Sequence, residues 1–289
     1  MLVSIGMPIY NRPVEMARAL SSVLAQTYQD IEIIISNNCS PNVKVDEIVK
    51  ECLQRDNRIK YFFQENALPV IDNFKFVLEK ASGEYFLWLS DDDWIDNNYV
   101  EECLNYLKNN PDYNLACGQC CYHNKSAELV STIKMPSLNS VSPSQRVIEY
   151  YRNVKLNGYF YGMRKTSLSR EIPLQNKMAF DWLYLAAIVY RGKLKVLENV
   201  SMHITAAGMS SDTVEMNKNI GANNFFTQNF VGLTSSANAA VDIFKHSIYP
   251  ISILHKVSFS IKIFFTVLSK TLMWDIIHIK RLFFGKKSN

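Results

Sequence analysis

The sequence predicts an α/β protein: a mostly parallel central sheet with helices on both faces, followed by a helical tail. Three observations carry this expectation. Strand-like and helix-like segments alternate through roughly the first 120 residues, the pattern of parallel strands joined by helices. The 289 residues are 48% hydrophobic, enough for one large core or two small ones. From Ile243 onward the chain becomes basic and apolar at once.

The elements follow in order. Leu2–Ile9 is a short apolar run, and Val14–Ala25 carries Val14, Ala17, Leu20, Val23 and Leu24 at helical spacing. Ile31–Ile35 is a β-branched run of the buried-strand type, closed by the turn-rich Asn37–Asn42. Val43–Leu53 is helical in period and Ile59–Phe63 strand-like. Phe74, Val77, Leu78 and Ala81 mark a helix expected to end at Gly83 as its C-terminal glycine. Glu84–Leu89 reads as a fourth strand and Tyr99–Leu107 as a helix. Short strands are expected between Asn114 and Ser140, then helices over Val147–Arg152 and Asp181–Tyr190. Ligands of such sheets sit at the carboxyl ends of the strands. Those ends are Pro8–Arg12, Ser36–Ser40 and Ser90–Trp94, all polar.

Composition removes several function classes. It excludes disorder, collagen and a small disulfide scaffold. No glycine lies between Gly6 and Gly83, so neither a G-x-G-x-x-G loop nor a P-loop can cradle phosphates near the N-terminus. Cys117, Cys120, Cys121 and His123 amount to half a zinc site, but no second C-x2-C pair supports it. The apolar start breaks at Pro8 and the first basic residue is Arg12, unlike a signal peptide, so free thiols in a reducing cytoplasm are expected. The sequons at Asn38, Asn124 and Asn199 then carry no information.

The net charge of +4 hides an asymmetry. Eight Lys/Arg and the single acid Asp275 follow Ile243, so the tail is +7 and the first 242 residues are −3. A basic tail on a mildly acidic body points to an anionic partner for the tail alone. Its many apolar residues argue for a membrane surface over nucleic acid. Lys256, Lys262 and Lys270 interrupt any run of the ~18–20 apolar residues that a spanning helix needs. On a helical projection Lys256, Lys270, His278 and Arg281 share one arc. Leu254, Val257, Ile261, Phe264, Leu268, Leu272 and Ile279 lie opposite, while Phe259, Ile263, Val267 and Trp274 intrude on the polar side. A core-packing helix, a partner helix or a homodimer is the competing reading of that imperfect pattern.

Ser90-Asp91-Asp92-Asp93-Trp94 follows directly on the aromatic strand. Three adjacent carboxylates at a buried strand end repel one another and are costly without a cation. A hard divalent ion, Mg²⁺ or Mn²⁺, bridging one or two of them to substrate phosphates resolves that cost. A solvated acidic turn capping the next helix is the plainer alternative.

At this point a resemblance enters. Val3–Arg12, Leu20–Tyr28, Gln29–Ser40 and Ala81–Asp93 resemble, in order and spacing, a family 2 glycosyltransferase of the GT-A fold. The four segments are similar to its opening strand and nucleotide turn, first helix, base-binding turn and metal-binding D-x-D segment. The likeness runs from Val3 to Ser211.

It implies that Pro8, Tyr10 and Arg12 line the nucleotide. Asn37 and Asn38 stand where the family has Asp reading uracil; an amide both donates and accepts, so the resemblance still implies uridine, and a UDP-sugar as donor, without requiring it. Asn66 and Asn73 fit polar positions around the third strand and following helix. Asp91 and Asp92 would face the nucleotide-sugar, with Asp92 or Asp93 the direct metal ligand. Phe180-Asp181-Trp182-Leu183 resembles the acidic motif of the acceptor half, which makes Asp181 the candidate general base. Met202–Thr205 ahead of Gly208–Ser211 resembles the late loop whose His, here His203, can ligate the metal.

The resemblance implies a catalytic domain over 1–242, its nucleotide-sugar half about 1–115, and a tail over 243–289. The implied reaction is inverting transfer from a nucleoside-diphosphate sugar to a glycan or lipid-linked glycan in surface polysaccharide synthesis. The enzyme would work without nucleic acid, peripherally on the inner face of the cell membrane. A sugar-phosphate nucleotidyltransferase and a non-catalytic sugar-binding scaffold are the alternatives. The first would want a glycine-rich phosphate loop, and the second could dispense with Asp181 or the triple Asp.

Overall fold

The computed structural model describes residues 1–154, 158–205, 227 and 229–284, with side chains of the last helix through 277. The first half reads β1 (Val3–Ile9), α1 (Pro13–Leu24), β2 (Ile31–Asn37), α2 (Val43–Leu53), β3 (Ile59–Phe63), α3 (Val70–Lys80) and β4 (Tyr85–Trp88). There follow β5 (Trp94–Ile95), α4 (Tyr99–Asn109), β6 (Tyr113–His123), β7 (Leu129–Ile133) and α5 (Pro143–Asn153). A 3₁₀ turn (Gly158–Tyr161), β8 (Arg164–Lys165), α6 (Thr166–Glu171), α7 (Phe180–Arg191) and β9 (Lys193–Thr205) come next. Two helices, α8 (Val231–Lys245) and α9 (Ile253–Phe284), close the order.

The main sheet runs β3-β2-β1-β4-β8, parallel except for β8. Every residue of β1 and β2 is buried, as expected of continuous apolar runs covered on both faces. Register places Ile9 opposite Asn37 and Gly6 opposite Trp88, so the three polar strand ends meet at one edge. A second sheet, β5-β9-β6-β7, leans its β5 and β9 ends towards the same edge.

Several expectations need correction. Gly83 does not terminate α3, which stops at Lys80. Its role is close approach: a Cβ there would stand 2.6 Å from the Leu2 carbonyl oxygen and 2.7 Å from Ser4 Oγ. The short strands expected over 114–140 are an eleven-residue β6 and a five-residue β7. Met202–Thr205 is the end of strand β9, not a loop, with His203 paired to Trp94. Gly208–Ser211 lies outside the described residues. Cys103, Cys117, Cys120 and Cys121 are buried free thiols, three of them on β6.

The tail helix begins at Ile253 and packs against α8 and α5. Its faces are the reverse of what the projection suggests. Three of the four supposed intruders, Phe259, Ile263 and Val267, are buried, while Trp274 stays half exposed. Lys256 and Lys270 also face the body, reaching the carbonyls of His246 (3.0 Å) and Tyr151 (3.5 Å). Leu254, Val257, Ile261, Phe265 and Leu272 stay exposed, Leu254 at 79%. Lysines do not disqualify the helix by length and composition either: Ile253–Ile277 is long and apolar enough to cross a membrane.

Asp275 accepts bonds from the Gly232 and Leu233 amides (2.8 and 2.9 Å), capping α8 from its neighbour. A Cβ on Gly232 would stand 2.7 Å from the Thr271 carbonyl oxygen, so only glycine allows the two helices this contact.

Candidate functional site

The carboxyl edge of the main sheet gathers Tyr10, Arg12, Asp91, Asp92 and Asp93 into one cluster. β1 ends and turns through Asn11, whose φ of 55° is left-handed, which aims the Tyr10 amide and the Arg12 side chain at the acidic turn. The Tyr10 N–H donates to Asp91 Oδ2 at 2.7 Å. Arg12 Nη1 bridges Asp91 Oδ1 (2.9 Å) and Asp92 Oδ2 (3.1 Å). Asp93 Oδ1 accepts from the Thr205 amide at 2.8 Å, and the Tyr161 hydroxyl bonds both Asp93 and Ser90 Oγ, the latter at 2.7 Å. Arg18 ties the floor together by donating to the Asp92 carbonyl (3.0 Å) and Thr205 Oγ1 (3.2 Å) while stacking 4.0 Å over Trp94.

All three carboxylates are buried, and burial decides their chemistry. It pushes Asp91 up to about 7 against the pull of Arg12. Asp92 is raised by burial, and Asp93 well raised by burial and by Asp92 beside it. One guanidinium shared by two carboxylates, with a third beyond it, leaves excess negative charge among hard oxygen donors. That donor set fits Mg²⁺ or Mn²⁺. Among the described residues no group of three or more His, Cys, Asp or Glu is arranged to hold a metal by itself. An ion there would need most of its ligands from phosphates and water.

Other expected residues lie nearby but are engaged elsewhere. Asn38 clamps the chain after β3, donating to the Leu68 carbonyl (3.0 Å) and accepting from the Leu68 amide (2.7 Å). Asn37 donates to Tyr61 (2.9 Å) and accepts from the Ser40 amide (3.0 Å). Asn73 docks α3 onto β2 through the Ser36 hydroxyl (2.6 Å). Pro8 is buried within β1, Asn66 is exposed, and Tyr10 is half exposed at the edge.

His203 stands apart from the acidic trio. Its Nε2 meets Asp96 Oδ1 at 3.0 Å and its Nδ1 meets His123 Nε2 at 2.9 Å, while Trp94 stacks flat on its ring. Both ring nitrogens are thus occupied. Asp181 sits half-buried in the first turn of α7, just after Ala179 at a left-handed φ of 61°. An aromatic row joins that turn to the acidic one: Phe180 packs on Phe160, which stacks 4.7 Å from Trp88 of β4.

Arg18, Asp96 and Tyr161 were not anticipated, and His123 and Thr205 were named only in other roles. Tyr161 arrives from 71 residues beyond Ser90, a distance at which sequence pattern is silent, whereas Thr205, 112 beyond Asp93, lies in the segment already marked by the resemblance. Arg18 had one visible trace, a cation among the apolar positions of α1.

Comparison with known proteins fits this geometry. The sequence profile described as "Glycosyl transferase family 2" matches residues 4–172. An uncharacterized glycosyltransferase of Rickettsia typhi is 37% identical over 147 residues, 50% of this chain and 42% of that protein. Glycosyltransferase GlyA of Streptococcus pneumoniae is 38% identical over 100 residues, 34% of this chain and 14% of that protein. These matches span less than half the length of either relative. Among solved structures, S. aureus TarS 1–349 in complex with UDP-GlcNAc superposes with a TM-score of 0.67 at 16% identity, covering 98% of this chain and 76% of that one. At that identity the likeness speaks for the fold, the GT-A arrangement.

Proposed function

The chain belongs to glycosyl transferase family 2, and we propose that it moves a sugar from a nucleoside-diphosphate sugar to an acceptor hydroxyl with inversion. The observation that carries the reading is the buried, under-neutralised acidic turn at the carboxyl edge, joined to Tyr10 and Arg12. A UDP-sugar is the favoured donor, because a neighbour of the same fold is described with UDP-GlcNAc. In this reading residues 1–242 form the catalytic part, donor half first, and 243–289 the tail.

Mechanistically, Tyr10 and Arg12 orient the nucleotide end over the strand edge. In this reading Arg12, bonded to Asp91 and Asp92 in the free protein, turns towards the diphosphate when donor binds. Mg²⁺ or Mn²⁺ bound at Asp92 and Asp93 would supply charge neutralisation for the departing diphosphate. Asp181 accepts the acceptor hydroxyl proton as that oxygen attacks the anomeric carbon, and the bond to the diphosphate oxygen breaks on the opposite side. No covalent intermediate with the enzyme forms. Calorimetry with a panel of nucleotide sugars, with and without Mn²⁺, tests the reading. Metal-dependent affinity for one donor is expected, and identical affinity without metal would remove the cation from the mechanism.

The outward stripe of α9 is assigned to an anionic membrane surface on the inner face of the cell membrane. Leu254, Val257, Ile261, Phe265 and Leu272 form an apolar face turned away from the body, on a segment carrying +7. Each basic residue near such a surface adds about 1 kcal/mol. Trp274 and Lys270 of α9 pack on Trp182, next in sequence to Asp181, which favours a lipid-linked glycan as acceptor. Ile261→Gln with Phe265→Gln should abolish co-sedimentation with anionic vesicles and leave donor hydrolysis unchanged. Loss of a dimer instead, without lipid binding in the parent chain, would assign the stripe to a second copy.

A further inference from the structure

Arg164 opens β8 with its side chain wholly buried, yet its bonds end on neutral oxygens. Nε donates to Ser169 Oγ (3.1 Å) and Tyr184 Oη (3.3 Å). Nη1 donates to the carbonyls of Phe160 (3.1 Å) and Gly162 (2.6 Å). Nη2 has no hydrogen-bond partner among the described residues. Burying a guanidinium without a counter-charge is costly, and an apolar side chain would fill the same space with less penalty. Departures of this kind concentrate where a protein needs something other than stability.

What the charge grips is informative. The two carbonyls on Nη1 belong to the residues on either side of Tyr161. Tyr161 is the side chain whose hydroxyl reaches Ser90 Oγ and Asp93. The guanidinium also lies 4.3 Å over Trp88, the last residue of β4, and strand register pairs Arg164 with Phe86. Phe160 stacks on the same Trp88 ring at 8°. Arg164 therefore fastens the Tyr161 turn to the strand that runs into the acidic turn.

We infer that Arg164 is a positioning residue of the donor site, holding Tyr161 so that its hydroxyl orients Asp93 and Ser90. The inference rests on reading Asp91–Asp93 as the diphosphate end of a nucleotide-sugar site. Lysine would keep the charge but not the fork that binds Ser169 and Tyr184 through one nitrogen and two carbonyls through another.

The test uses the full chain labelled with 3-fluorotyrosine, with the Tyr161 resonance assigned by its loss in Tyr161→Phe. Arg164→Lys should shift that resonance while cooperative melting is retained. If Arg164→Lys does not fold, Ser169→Ala, which removes one Nε partner, is read in the same way. Tyr161→Phe and Arg164→Lys should each weaken UDP–Mn²⁺ binding about 10-fold, the scale of one hydrogen bond. The double variant should be no weaker than Tyr161→Phe alone, because both act through one contact. Additive losses, or an unmoved Tyr161 resonance, would overturn the assignment. Absence of UDP–Mn²⁺ binding in the parent chain would defeat the donor-site reading instead, and the resonance would still decide whether Arg164 positions Tyr161.

Discussion

The two ends of the main sheet each bury carboxylates and treat them oppositely. At the amino end, Glu32 of β2 accepts from Ser4 Oγ, the Ser82 amide and hydroxyl, the Gly83 amide and Lys60 Nζ. Burial alone would push its carboxyl up, but Lys60, Ser4 and Ser82 outweigh that and hold it at about 2. At the carboxyl end, three carboxylates share Arg12, two backbone amides and Tyr161, and burial wins. A carboxylate with every lone pair occupied is a structural part. Carboxylates left short of positive charge are candidates for binding and catalysis.

Breaking the comparison at its functional end should have the largest effect. Asp92→Asn or Asp93→Asn should cut turnover by about 10²–10³-fold, the scale of losing one electrostatic anchor, and weaken diphosphate binding. Steady-state rates with saturating Mn²⁺ measure it, and a near-normal rate would return the turn to a capping role. Asp181→Asn should lower transfer by about 10²–10⁴-fold while donor affinity stays within error. Normal transfer by that variant would require another base.

At the structural end the expected loss is in stability, not rate. Glu32→Gln leaves buried donors around it poorly matched and should cost roughly 2–3 kcal/mol in urea unfolding, discounted for the half-exposed Lys60. Its kinetic constants should not change; a rate defect would join the two ends functionally.

The smallest effect sharpens the contrast through pH. In metal-free protein Asp91 holds its proton up to about 7 when folded but only to about 4 when unfolded. The folded state binds the extra proton in that window, so this group's contribution to stability falls as pH rises from about 4 to 7. Glu32 works the other way: its contribution is present above its unfolded value and is lost as pH falls from about 4.5 towards 2. Urea titrations of the parent chain and of Asp91→Asn between pH 4 and 8 separate them, and identical slopes would show that Asp91 ionises normally.

Much of this was legible in the sequence. β1, β2 and β4 are buried along their whole length, as their mainly apolar runs suggest, and α2 and β3 fall where periodicity places them. The acidic turn was visible as three charges no core would accept. What remained hidden came from distant pairing. β5 has two residues, too short for any period, yet it brings Trp94 to His203. The partners of Asn37 and Asn38 were equally hidden, since Tyr61 and Leu68 lie 24 and 30 residues further along the chain. The α9 projection found two faces correctly but could not tell which one the body covers. Neighbours in space decide that, and they come from α5 and α8.

The bond from Asp275 to the start of α8 has a consequence for how the tail can come loose. Neither helix can leave alone: lifting α9 strips the cap from the Gly232 and Leu233 amides and uncovers the side of α8 that Thr271 touches. The pair should behave as one foldon, opening in a single step, with the Gly232 and Leu233 amides exchanging hydrogen at the same rate as the middle of α9. A protease acting on that hairpin would find both helices or neither.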